Sequence, residues 1–292
     1  MVGCGRCARV AAVVVGCWSV GWAPAALSAR PTIEAERVDF VVGNAYFVLL
    51  HEIAHMVINE FDLPVLGNEE EAADTLAATT LVRLDALTGD REFRFTRMLL
   101  MAADANRILW NRGIEMQAGD RAYWANHPLS AQRATRIACL VYGSDIETFV
   151  GLPEALDMPF FRAGWCEEEY ALAERARVWV RENVDHPRLL RKGGDIGVAY
   201  DEPSDDDQAF IKTRLEAEGI LENTAQYVAD NFRMPGDVTF MAMSCDSPNA
   251  YWDGEERRVI LCYEILAAFY DLGAEQKVQA LEEKLRTIAA GA

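Results

Sequence analysis

His51-Glu52-Ile53-Ala54-His55, flanked by Val48-Leu49-Leu50 and Met56-Val57-Ile58, is the stretch on which the reading of this chain turns. Apolar flanks on both sides predict a buried helix, and on a helix residues i and i+4 share one face. The two imidazoles then project together, and one zinc ion would engage both. Glu52 would stand beside that ion, placed to take a proton from a water molecule. A buried histidine without a polar partner is costly, so a pair on one apolar face asks for a common explanation. The alternative is two core histidines bonded to backbone carbonyls.

A zinc ion held by two histidines needs a third protein ligand. Downstream, Pro64 and Gly67 break the first helix and turn the chain. Asn68 suits the N-cap of a second helix, and Glu69, Glu70 and Glu71 suit its first turn. That helix runs on through Thr75 to Val82. A short connection makes the two helices antiparallel neighbours, so a carboxylate near the start of the second can face the histidines. An acidic helix N-terminus without a metal is the plainer alternative.

The spacing His51-Glu52-x-x-His55 is similar to the H-E-x-x-H pattern of zinc metallopeptidases. Glutamate-liganded zincins (gluzincins) carry Glu-x-x-x-Asp on the following helix, and Glu70-Glu71-Ala72-Ala73-Asp74 resembles it. The resemblance implies Glu70 as the third ligand and Asp74 as the group that fixes the tautomer of a ligating imidazole. Glu69 and Glu71 would point to other faces, into solvent. More widely, the chain resembles a family of secreted bacterial metallopeptidases defined as a domain of unknown function. The matching residues are Leu63-Pro64 through Asp74, His127-Pro128-Leu129 with Gln132-Arg133, Cys139 with Tyr142-Gly143, and Asn249-Ala250 with Cys262-Tyr263-Glu264. They span nearly all of the chain after the leader. The resemblance implies a zincin-type fold and says little about substrate.

His127 through Arg133 is also similar to the His-Pro…Arg segment of the HtpX-type membrane metallopeptidases, with the arginine six residues after the histidine. In such enzymes a histidine or tyrosine outside the zinc helices donates to the oxyanion, a contact worth about 3–4 kcal/mol of barrier. That resemblance nominates His127, with Tyr123 and Tyr142 as substitutes. The plainer reading is a helix entry, with Pro128 in the first turn and Arg133 paired to an acidic neighbour behind the ligands. His186 reads as a surface-loop histidine.

Composition bounds the rest. The 292 residues are 51% apolar and 25% charged, as expected of an ordinary globular protein. A net charge of −18 repels nucleic acid, so none is expected as a partner, and the metallopeptidase resemblance implies a peptide or protein substrate. No stretch after residue 30 reads as apolar enough to span a membrane. Residues 1–29 read as a signal peptide: Arg6 and Arg9, an apolar run from Val10 to Trp22, then small residues before a cleavage site near Ser28 or Ala29. Export to the periplasm or medium follows. Val14-Val15-Gly16-Cys17 resembles a lipobox, which makes a lipid anchor at Cys17 the alternative. Cys139, Cys166, Cys245 and Cys262 remain, and four cysteines allow three pairings. Sequence proximity favours Cys139–Cys166 and Cys245–Cys262.

The expected fold is α+β and zincin-like: mainly helical, with a small antiparallel sheet supplied largely by the C-terminal part. A helical zinc-binding part spans 35–185, with helices over 93–110, 130–142 (ended by Gly143) and 167–184. A linker at 191–207 surrounds a short strand at 196–200, and an α/β part spans 208–292, all within one domain from residue 30. The last part reads as a helix over 210–232, an antiparallel hairpin of 237–245 with 257–263, and a helix from 264 to 290. The hairpin is expected to fold back over the histidine helix and present a sheet edge to substrate. The function implied is a zinc-dependent peptidase using one ion, with Glu52 as general base. The alternative is a latent or non-catalytic zinc-stabilised binding or chaperone-like module, in which His127 would be a fourth ligand.

Overall fold

The apolar run around the histidines forms the longest helix, α1 (Ile33–Glu60), with Phe40, Ala45, Leu49 and Met56 fully buried along it. It ends where Asp62 takes a left-handed conformation and Leu63 N–H closes back on Ile58 O at 3.0 Å. Asn68 caps the next helix, α2 (Glu69–Thr88), by accepting the N–H of Glu70 at 2.8 Å. Deeper in α2, buried Asp85 accepts the N–H groups of Phe95 and Thr96, which ties down the start of α3 (Arg94–Asn111). The computed structural model describes residues 33–88, 93–113, 127–156, 158–184 and 193–283, apart from 279 and 282. The leader, Cys17, Tyr123 and His186 lie outside these residues.

One sequence expectation fails at α1. Its segment Ala35–Glu60 is long and apolar enough to cross a membrane by length and composition. Packing accounts for that character, because 83% of the segment's most apolar window is buried inside the protein. A helix enclosed by other elements needs apolar side chains all round, as a membrane span does.

Four more helices follow: α4 (Ser130–Ser144), the short α5 (Leu152–Ala155) and α6 (Phe160–Ala163), and α7 (Cys166–Val184). Gly143 does not end α4. A Cβ there would stand 2.0 Å from Cys166 O, so the glycine serves the close approach of α4 to the start of α7. Strand β1 (Ile196–Tyr200) lies in the expected linker stretch and pairs with β2 (Val238–Met243). Between them, the expected single helix over 210–232 is two, α8 (Asp206–Glu218) and α9 (Ile220–Asn231), broken at Gly219 with φ 61°. Strands β3 (Ala250–Asp253) and β4 (Arg258–Cys262) and helix α10 (Tyr263–Leu272) follow. The helix expected over 264–290 breaks at Gly273, where Lys277 N–H turns to Asp104 at 2.7 Å; helical residues resume at Val278, and 284–290 lie outside the described residues.

The sheet is mixed, in the order β1-β2-β4-β3. β2 runs parallel to both β1 and β4, and β3 alone is antiparallel, to β4. The expected antiparallel hairpin of 237–245 with 257–263 is therefore wrong. Ser247-Pro248-Asn249 and Asp253-Gly254 each reverse the chain, and two reversals restore its direction. The short strand between them, not read from the sequence, becomes the sheet edge. One hydrophobic cluster from Phe40 to Val278 joins the helical part to the sheet.

Disulfides Cys139–Cys166 and Cys245–Cys262 are both present and follow the pairing by proximity. The first ties α4 to α7, and the second ties the loop after β2 to the end of β4. Replacing either pair by serine is expected to destabilise the fold by about 3 kcal/mol through loop entropy alone. Denaturant unfolding of each double variant measures this, and an unchanged midpoint would reject it.

Candidate metal site

Two helices and one edge strand build the site. α1 carries His51 and His55 one turn apart, and α2 brings its acidic first turn against them. β3 lies across α1, where Trp252 N–H donates to Glu52 Oε2 at 3.1 Å. These residues line a cavity of about 650 Å³ together with Asn59, His127 and Tyr251.

The carboxylates decide how the imidazoles are used. His51 Nδ1 stands 2.8 Å from Asp74 Oδ1, and His55 Nδ1 stands 2.7 Å from Glu69 Oε1. A carboxylate accepts, so each Nδ1 carries a proton and each Nε2 of a neutral ring presents its lone pair. Both lone pairs then aim at one place. His51 Nε2 is 3.1 Å from His55 Nε2 and 3.1 Å from Glu70 Oε2, and His55 Nε2 is 3.4 Å from that same oxygen. Three lone-pair atoms this close repel unless protons or a cation lie among them. Ligands bound at about 2.0–2.1 Å around a tetrahedral ion stand about 3.3–3.4 Å apart, which this set nearly matches. His51, His55 and Glu70 thus form a candidate metal site.

With no metal ion among these atoms, protons take that place. Burial opposes protonation of His51 and His55, but the carboxylates outweigh it and raise both, His55 to about 9. Glu70 would be raised by burial, yet hydrogen bonds from His127, His51 and His55 hold it far below the usual carboxylate range. Asp74 likewise falls to about 2 against its burial, through His51 and the Arg133 guanidinium. Glu52 differs: burial raises its carboxyl, opposed by the two histidines. This is a neighbourhood that concentrates negative charge on ligand atoms and leaves one buried carboxyl readier to hold a proton.

Arg133 grips Asp74 in two-point fashion, Nε at 2.8 Å and Nη2 at 2.6 Å. The chain thus runs from Arg133 through Asp74 to His51. Cutting it with Asp74→Asn is expected to weaken metal binding about 10–100-fold. Competition with a chromophoric chelator reads this, and an unchanged affinity would show that Asp74 does not orient the ring.

His127 stands at the entry to α4, with Nδ1 3.0 Å from Glu70 Oε2 and its ring 6.1 Å from that of His51. Helix entry and approach to the site are therefore the same feature. Tyr142 packs against the hydrophobic core instead of lining the cavity. Two expectations are corrected. Glu69 is not merely solvated but holds His55, and Glu71 pairs with Arg136 at 2.9 Å. The clue to Glu69 was a second histidine with no carboxylate assigned to its Nδ1. A further group, Cys245, Cys262 and Glu264, has both sulfurs in a disulfide.

A family model described as "putative metallopeptidase" matches residues 17–181 and 200–291. The chain belongs to this family. No curated protein and no solved structure matches it. Membership implies a metal and a peptide or protein substrate, and the convergent ligand atoms are where a metal fits. The two disulfides are compatible with export.

Proposed function

We propose that this chain is an exported, zinc-dependent peptidase of the glutamate-liganded class, built as one domain over residues 30–292. The convergence of His51 Nε2, His55 Nε2 and Glu70 Oε2 beside buried Glu52 carries this reading. Imidazole and carboxylate donors in a set of three suit zinc and leave a fourth position for water. When bound, the ion supplies Lewis acidity that lowers the pKa of a water and polarises the scissile carbonyl. Glu52 accepts the water's proton and passes it to the departing amine. The Trp252 N–H keeps that carboxylate aimed into the cavity. His127 donates to the carbonyl oxygen as negative charge develops there. Asp74 and Glu69 hold the two ligand rings in register. A peptide lies along edge strand β3 as an added strand, its backbone crossing α1 at the histidines. The leader, together with the disulfides, supports export.

The test is a peptide-library digest with the wild type and Glu52→Gln, each with and without chelator. Cleavage is expected only from the metal-loaded wild type, and cleavage that survives both changes rejects the reading. His127 favours a second reading, a latent or binding module, because Nδ1 lies 3.0 Å from Glu70 Oε2 and a fourth side chain stands near the ligands. X-ray absorption of the zinc-loaded chain separates the two. Two imidazoles with oxygen donors support the peptidase, and three imidazoles support latency.

A further inference from the structure

Helix α7 turns one side outward, and that side is apolar. Trp165, immediately before the helix, then Leu172 and Trp179 follow at seven-residue intervals, so they line one face. They are 60%, 51% and 46% exposed, while Cys166, Ala173 and Val184 are buried on the protein side. A row of large exposed apolar side chains on one helix face points to an interaction surface. The Cys139–Cys166 disulfide anchors the start of the helix, so the row is presented on a fixed support.

Glu168 and Arg175 flank the row on one side, both exposed and neither ion-paired among the described residues. They cannot pair with each other, because seven residues of helix separate them by about 10 Å. The series Trp165, Glu168, Leu172, Arg175, Trp179 is self-complementary when reversed. If a second copy of α7 is laid antiparallel about a two-fold axis at Leu172, Leu172 meets the partner's Leu172. Trp165 meets the partner's Trp179, and Glu168 comes level with the partner's Arg175 to within one residue's rise, about 1.5 Å. That axis is perpendicular to the plane of the two helices. The flank carrying Glu168 and Arg175 therefore adjoins the same flank of the second copy, and both ion pairs form. One register satisfies the apolar row and the charges together, as an isologous contact requires.

We propose that α7 mediates a symmetric antiparallel homodimer through Trp165, Leu172 and Trp179, with Glu168 and Arg175 fixing the register. The occupant is a second copy of this chain and not an anionic membrane, which a net charge of −18 repels. The contact is separate from the metal site, so its test is independent of peptidase activity.

The test is light scattering on the full chain between about 1 and 100 µM. The wild type is expected to approach twice 32.5 kDa as concentration rises. Leu172→Glu sets two carboxylates against each other on the axis and should raise the dissociation constant by about 100-fold. Its circular dichroism should be unchanged, because the side chain is half exposed. Glu168→Arg and Arg175→Glu should each weaken the dimer about tenfold, and the two together should restore it to within about threefold. A wild type that stays monomeric at the highest concentration overturns the proposal. So does a dimer indifferent to Leu172→Glu, or single charge swaps that the double swap fails to rescue. Binding of the monomer to uncharged phosphatidylcholine vesicles through the same residues would assign the face to lipid and overturn it as well.

Discussion

Peptide hydrolysis by the Glu52→Gln chain is expected to fall by about 10²–10⁴-fold, with its metal content unchanged. Glutamine matches glutamate in size and still accepts the Trp252 N–H that now bonds Glu52 Oε2 at 3.1 Å. The fold around β3 therefore has no reason to shift. What disappears is the basic oxygen. Burial raises the Glu52 carboxyl, against the pull of His51 and His55, and a raised carboxyl is a better proton acceptor at neutral pH. Glu52 lies outside the group of converging donor atoms, so its neutralisation leaves the ligand set whole. The variant should be assayed for cleavage and for metal on the same sample. Full activity sinks the general-base role, whereas loss of the metal would move Glu52 into the ligand shell.

Stripping the metal with a chelator is expected to abolish cleavage and lower the thermal midpoint, and about one equivalent of zinc per chain should restore both. The reason is the convergence of three ligand atoms on one point. His51 Nε2, His55 Nε2 and Glu70 Oε2 lie within 3.4 Å of one another, held there by Asp74 and Glu69 from behind. A metal ion displaces the protons that otherwise sit among them and binds all three donors at once. At a metal concentration about 100-fold above its dissociation constant, that binding stabilises the folded chain by about 2.7 kcal/mol. His55→Ala is the matched control: it should take up less than about a tenth of an equivalent and gain no stability from zinc. A chelated, metal-free chain with unchanged midpoint and activity would remove the metal from the proposed chemistry. A His55→Ala chain that binds zinc normally would remove His55 from the ligand set.

Residue spacing alone was enough to pair His51 with His55, because a helix fixes which positions share a face whatever surrounds it. Local chemistry likewise settled the Asn68 cap, which acts within two residues. Glu70 with Asp74, one turn apart, was readable through resemblance to a known pattern, and both side chains lie against His51. Glu69 was not readable. Which of three consecutive glutamates meets His55 depends on how α2 is rotated against α1, and periodicity within one helix carries no information about its rotation against another.

The sequence by itself determined the histidine pair, the acidic turn after it and the predominance of helix, and it favoured the cysteine pairing by proximity, all of which rest on residues close along the chain or on short-period patterns. Only the tertiary structure decided that the apolar length of α1 is core, that β2 and β4 run parallel, and that the strand expected over the histidine helix is β3. The contact of Trp252 with Glu52 joins positions 200 residues apart. Such contacts are set by how whole faces pack together, where many side chains act at once and no short stretch of chain encodes the outcome.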